Sequence, residues 1–429
     1  MKHLLGLSAA VLLLSTACKR DIENITPIPP YQDFFSAYLS ESRYGLEQLD
    51  NSSDTLFVKS SYRYQAITLE ITPANGLKNG EAETIRFNVV TNMEGSAKIP
   101  FTRHDLCRYK DGPLYVRADL SANHNYTPMD TVEKEEYKIR TYGDLANIEN
   151  SIRDSYPDQP FVQVQDITCP DNITYSNSYR IFSGSYDGQN YKIKNFNQLI
   201  NNTSSGFIES LGLFGSLQPH SVVKNIRLEL SASGIRSTSA SCNGGGIAAL
   251  ADSAAIINCS VKGNITADTS GGFTFVGGIV GRATNCSITG CSQSGNLTAS
   301  VAGGIISLGT NDTIKNCYKT GGIYVNSTAG GIMAYGFGDA TINVTDTYVY
   351  LTELRARYYY ALYRKSATNG VITNYYTNKD NIVNPFDSSV GNTGYTLYSN
   401  VAELNNYLSA IAAYKANPEQ NQPMILSWQ

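Results

Sequence analysis

The sequence predicts an all-β protein: a parallel β-solenoid, or β-helix, of about six repeats, preceded by a small antiparallel β-sandwich and fitted with short capping helices. Three observations predict it. A glycine-apolar pattern returns at intervals of 26 to 34 residues, a β-branched register runs in step with it, and the stretch ahead of both alternates apolar and polar residues. Composition agrees, because 36 Gly and 30 Tyr against 16% charged residues suit a sheet-rich extracellular chain better than a helical cytosolic enzyme.

Residues 1–17 read as an export signal. Met1-Lys2-His3 is a short basic start, Leu4 to Leu14 is a mostly apolar run of 11, and Ser15-Thr16-Ala17 are small residues of the kind that precede a cleavage site. Eleven helical residues rise about 16 Å, roughly half the hydrocarbon thickness, so a permanent span is a poor reading. Cys18, directly after, resembles the lipidated cysteine of a bacterial lipobox, although Leu14 sits one place earlier than the commonest pattern. The resemblance implies a tether of acyl chains; plain cleavage at Ala17 is the alternative. Asp21 and Glu23 resemble the surface-export signal of Bacteroidetes lipoproteins. The expected location is the outer membrane, lipid-anchored at the cell surface.

Residues 18–45 contain Pro27, Pro29 and Pro30 and read as a tether, with a short helix near Phe34 to Leu46. Residues 46–135 form the expected sandwich, because 55–59, 66–71, 84–91, 97–101 and 114–120 are period-two runs separated by Gly, Asn and Asp. The charged stretch from Asp130 to Lys138 reads as a linker. Thr141 and Asp144 stand at capping-box spacing ahead of Leu145, Ile148 and Ile152, so a short helix is expected to cover the first coil. Asp187-Gly188 suits a hairpin or a tight corner.

Residues 136–385 carry the repeats. Gly-Leu-Phe-Gly at 212–215 returns at 246–249, 278–281, 304–307 and 331–334, with a worn copy at Ala361-Leu362-Tyr363. The aligned apolar residues are Leu213, Ile247, Ile279, Ile305, Ile332 and Leu362. The second register begins at Val223, Ile256, Ile288, Ile314, Val344 and Ile372, each β-branched as a buried strand residue facing its own copy should be. Two places on stand Asn225, Asn258, Gly290, Asn316, Asp346 and Asn374, residue types that tolerate the left-handed backbone region; this column predicts one corner of every coil. Variation in repeat length falls in loops such as 237–243 and 269–274, where specificity would sit. In residues 386–429, Asn400 and Glu403 form another cap pattern, before a helix with Leu404, Leu408 and Ile411 on one face. That helix is expected to close the far end.

These repeats resemble the GLUG motif of surface and secreted bacterial proteins over roughly residues 136–429, and Phe182 to Gly188 resembles the segment that begins such solenoids. The resemblance implies the solenoid architecture and a surface or adhesive role, without a known ligand.

A net charge of -4 carries no basic excess, so nucleic acid is not an expected partner. Of eight cysteines, Cys259, Cys291 and Cys317 share one repeat column with Ile226 and Thr347, which favours small buried hydrophobes. A disulfide involving Cys242 or Cys286 stays open, and Cys107 and Cys169 are unassigned. No CxxC, HExxH or GxSxG pattern occurs, and His104, His124 and His220 read as surface residues, so neither metal nor cofactor is implied. Asp187, Asp252 and Asp346 form no recurring group of the kind a polysaccharide lyase or hydrolase would use. Tyrosines gather late in the repeats. Tyr348, Tyr350, Tyr358, Tyr359, Tyr360 and Tyr363, with Tyr375 and Tyr376, either present a stacking surface to a glycan or protein ligand or pack within strands. The functional expectation is a non-catalytic adhesin or binding lipoprotein whose partner is a glycan or a host or bacterial surface protein. The alternative is a polysaccharide-active β-helix enzyme.

Overall fold

Six inward β-branched residues with identical neighbours a coil away dictate the architecture. In the computed structural model, which describes residues 35–39, 43–44, 53–61, 63–73, 85–102, 112–118, 127–134, 136–148, 160–171, 181–200, 208–269, 273–336, 341–360, 364–365, 371–378 and 395–429, they stack as a parallel column. Val223 pairs with Ile256, Ile256 with Ile288, Ile288 with Ile314, Ile314 with Val344 and Val344 with Ile372. Upstream the same column continues through Tyr186, Phe161 and Tyr137. Val223, Ile256, Ile288, Ile314 and Val344 are all 0% exposed. Burying each side chain contributes about 1.5–3 kcal/mol.

Each coil runs through four such columns. From the first column (Val222–Lys224, Ala255–Ile257, Ser287–Thr289, Thr313–Lys315) the chain turns into a second, which includes Arg227–Ser237, Ser260–Lys262, Ser292–Ser294 and Tyr318–Gly330. A third holds Glu209–Leu211, Ser241–Gly245, Phe273–Gly277, the ends of Leu297–Gly303 and Tyr318–Gly330, and Tyr358–Tyr360. The fourth is a separate parallel sheet holding Phe214–Leu217, Ala248–Asp252, Val280–Thr284, Ile306–Thr310 and Met333–Gly336.

The glycine-apolar pattern makes the turn from the third column to the fourth. Leu213, Ile247, Ile279, Ile305 and Ile332 are 0–2% exposed, and the peptide N–H of Ile247 donates to Ile279 O, and that of Ile279 to Ile305 O. In the turns at 245–246, 277–278 and 303–304 both glycines stand too close to other backbone for a side chain. A Cβ at Gly277 would lie 1.8 Å from Val280 O, and one at Gly278 would lie 2.1 Å from Gly304 O. Leu362 lies outside the described residues.

At the corner between the first and second columns, Asn225, Asn258, Gly290, Asn316, Asp346 and Asn374 have φ between 50° and 65°. A β-branched residue held there would cost about 1–2 kcal/mol. A second left-handed corner, at His220, Ser253, Asn285 and Asn311, precedes the first column. Sequence reading missed it because only two of its members are the Asn that marks such positions. Asp187-Gly188 makes a corner rather than a hairpin, since Gln189 and Asn190 take φ of 46° and 62° and the flanking strands pair in parallel.

Two helices occur among the described residues. The first, α1 (Tyr142–Asn147), has the expected capping box: Thr141 accepts from the Asp144 N–H, and Asp144 accepts from the Thr141 N–H. The second, α2 (Val401–Leu408), is capped by Asn400 and buries Leu404 and Leu408. The expectation that the tail closes the far end is corrected in part. After α2 the chain runs back along the flank of the solenoid, where Tyr414–Lys415 pairs antiparallel with Ile425–Leu426.

The chain divides into two compact units. In the first, the strand Phe35–Leu39 pairs antiparallel with Ser53–Ser60, and that with Ser96–Thr102. A second antiparallel sheet joins Ile85–Val90, Ala66–Pro73, Gly112–Ala118 and Thr127–Lys134. Buried residues of the unit's two sheets include Leu56 and Val58 of the first and Ile67, Leu69, Ile71, Leu114 and Val116 of the second. Two expectations are corrected here. Residues 35–39 form a strand, not a helix, because their backbone pairs antiparallel with Ser53–Ser60 and that pairing buries Ala37. The charged linker is instead a ladder strand, Thr127–Lys134, followed by the first solenoid strand, Tyr137–Ile139, because the backbone of Thr127–Val132 finds its partners along Gly112–Val116.

Candidate functional site

The late tyrosines do not form one surface. Strand parity sends neighbours to opposite faces, so Tyr358 is 41% exposed while Tyr359 is 2% exposed inside the stack. Burial pushes the Tyr359 phenol up to about 12. Tyr348 is 0% exposed, Tyr350 and Tyr360 are half-buried, and Tyr363 lies outside the described residues. The expectation of a shared stacking patch is therefore corrected for Tyr348 and Tyr359, which no ligand reaches in this arrangement.

Tyr348 is hidden because the tail covers it. On the outward side of the second column, Arg227, Ser260, Ser292, Tyr318, Tyr348 and Tyr376 stack in register. Tyr318 and Tyr348 lie parallel with ring centroids 4.9 Å apart, and Tyr376 stacks on Tyr407 of α2 at 5.2 Å. Leu404, Leu408, Tyr414 and Leu426 complete the apolar cluster. Polar atoms are matched across it: Tyr348 donates its hydroxyl to Met424 O at 2.6 Å, and Tyr414 donates to Asp346 O at 2.7 Å.

Exposed apolar side chains of the solenoid lie elsewhere, some of them singly, such as Val371 ahead of the last first-column strand. Phe273 is 76% exposed and sits opposite Ser241 in the third column, and Ile208, 57% exposed, precedes that column's first strand. With Tyr358 they mark the edge by which the loops enter the third column, at its first, third and sixth strands. The Arg357 guanidinium lies 5.3 Å from the Tyr358 ring centroid. Nearby, Tyr324 donates to Glu353 at 2.8 Å, and Arg355 pairs with the same carboxylate. Five steps of a parallel stack span about 24 Å.

The titratable groups are occupied by the architecture. Burial pushes Asp187 up, but the Asn225 amide, the Gln189 N–H and the Lys224 ammonium outweigh it and hold the carboxyl below its ordinary value. Asp166 is held low by the Lys192 N–H and by Lys194. Asp312, enclosed at a corner, is pushed up to about 7 by burial, although its two oxygens accept from the Cys286 and Thr310 N–H groups. Cys169, Cys242, Cys259, Cys286, Cys291 and Cys317 are all buried and unpaired. The disulfide reading for Cys242 and Cys286 is therefore corrected, since both are free thiols. Burial pushes Cys242 up to about 12, a protonated thiol and a poor nucleophile. Among the described residues, no group of three His, Cys, Asp or Glu is placed to hold a metal ion. His220 is a corner residue, while His104, His124, Cys18 and Cys107 lie outside the described residues. No described helix is long and apolar enough to cross a membrane.

No family model and no curated protein matches the chain. Among solved structures it is similar to an IgA1 protease, with a TM-score of 0.36 and 15% sequence identity over 84% of this chain and 32% of that one. The chain spans about a third of that protein's length.

Proposed function

We propose that this chain is a surface-displayed binding lipoprotein of the GLUG-repeat type that contacts a glycan or a protein on another surface. One observation carries the reading: the solenoid's two most exposed aromatic side chains, Phe273 and Tyr358, lie along a single loop edge together with the exposed Ile208. Exposed aromatic rings held by a rigid ladder supply contact area at little entropic cost, as recognition surfaces require. The buried tyrosines pack the core and flank, so the binding role passes from Tyr348 and Tyr359 to this edge. An acyl anchor on Cys18 would hold the protein at the outer membrane.

A broad glycan array probed with the chain from residue 19 tests the reading. Saturable binding that Phe273→Ala weakens at least about tenfold supports it; an array with no labelled spot, together with turnover of any polysaccharide, would replace it with the enzyme reading. The anchor has its own assay, because a radiolabelled fatty acid should enter the full chain and fail to enter Cys18→Ala.

A further inference from the structure

The tail does more than cover the tyrosines; its last seven residues are read by a built site. Gln429 is satisfied at both ends of its side chain: Oε1 accepts from the Tyr318 hydroxyl at 2.8 Å and from the Leu426 N–H at 3.1 Å, and Nε2 donates to Ser292 Oγ at 2.8 Å. Trp428 Nε1 donates to Gly290 O at 3.0 Å. Arg227 donates through Nη2 to the carbonyl oxygens of Trp428 and Gln429, both at 3.1 Å, and its guanidinium lies 5.7 Å from the indole centroid. The Arg227 Nε is buried without a partner, so those carbonyl bonds are what offset the burial of this side chain. Upstream, Tyr348 holds Met424 O, and Leu426 is buried against the same cluster.

Arg227, Gly290, Ser292 and Tyr318 stand more than 100 residues before the tail, on three coils of the stack. The segment reaches them through Lys415–Gln422, which is exposed apart from Asn417. Docking onto the coils is thus made by side chains, and the segment's own short ladder joins it to Tyr414–Lys415 and not to a coil, while the coils hold one another by their own ladders.

We infer that Arg227, Gly290, Ser292, Tyr318 and Tyr348 form a peptide-recognition site selective for a Trp-Gln pair, which Pro423–Gln429 fills in cis and can leave. The partner it fits is an extended apolar peptide carrying that pair, and a second copy of this chain supplies one. The inference is independent of the glycan reading, since the site lies on the second column and the loop edge on the third.

The test uses the full chain with a protease site inserted after Glu419. After cleavage, a fluorescent peptide of the sequence from Pro423 to Gln429 is added and its anisotropy followed, with far-ultraviolet circular dichroism recorded in parallel. The expected result is saturable uptake with displacement of the chain's own segment and an unchanged β-sheet signal. Peptides with Trp428→Ala or Gln429→Ala should bind at least about tenfold more weakly, because each strands a buried partner. Three results would overturn the inference: no saturable uptake, uptake of the alanine peptides equal to that of the unsubstituted peptide, or loss of the sheet signal on cleavage. The last would make the tail an inseparable part of the solenoid core.

Discussion

Lys319 stands where the repeat asks for an apolar residue. Successive inward positions of the second column are Leu228, Val261, Gln293, Lys319 and Val349, and Lys319 is 0% exposed. Its Nζ donates to Gly295 O at 2.6 Å and to Thr320 O, both backbone carbonyls, and burial holds its pKa well below the ordinary lysine value. The unfolded chain then binds the extra proton, so this residue makes stability rise with pH between its depressed pKa and about 10.4, by up to about 1.4 kcal/mol per pH unit. Lys319→Met keeps the stem's volume and removes the amine. It should be more stable at neutral pH, and the difference from wild type, read by urea denaturation at several pH values, should shrink as pH approaches 10. Asp312 acts in the opposite sense in a lower window. An acid raised to about 7 loses stability as pH climbs from about 3.9, and both proteins share that contribution.

At the scale of the coil element, corner and turn make different demands. Asn258 has φ 52°, and its amide donates to Asn225 Oδ1 at 3.4 Å. Asn258→Gly should therefore be nearly neutral, while Asn258→Val should cost about 1–2 kcal/mol in chemical denaturation. Gly277→Ala meets a carbonyl oxygen instead of an unfavourable torsion, so the coil must open, and a loss of more than about 3 kcal/mol is expected from the same measurement. Thiol reactivity checks the element from inside: Cys259, Cys291 and Cys317 should resist a disulfide reagent until the chain unfolds. Most of this was legible beforehand. The Ile and Asn columns recur in the sequence because stacking imposes the same environment on each coil. Local caps at Thr141 and Asn400 were equally readable, since a cap depends on residues three or four apart. Gln293, Lys319 and the His220-Ser253 corner were not, because each breaks the repeat at one coil and only the neighbouring coils make it tolerable. Burial of Tyr348 depended on a tail 76 residues further along, a contact with no local signature.

At the scale of the whole molecule, a stack in which every coil touches only its neighbours unfolds as a chain of linked units, with stability close to a sum of coil and interface contributions. The tail alters that arithmetic. By bonding to Arg227, Gly290, Ser292, Tyr318 and Tyr348 at once, it couples coils that otherwise communicate only through those between them. Trp428→Phe removes the indole N–H and leaves Gly290 O without that donor, at a cost of about 1–3 kcal/mol. The loss should fall unevenly. Hydrogen exchange should quicken most in the coils from 287 to 376, which the tail clamps, and remain unchanged at 186–196, which it does not touch. The variant's denaturation transition should also broaden, because freed coils melt in sequence rather than together. Since Trp428 is the chain's single tryptophan, its emission in the wild-type protein reports the same event directly. A red shift that precedes loss of the sheet signal marks lifting of the tail before the coils open. Coincident transitions would mean that the flank and the stack form one cooperative unit, and that the clamp is as integral as any ladder strand.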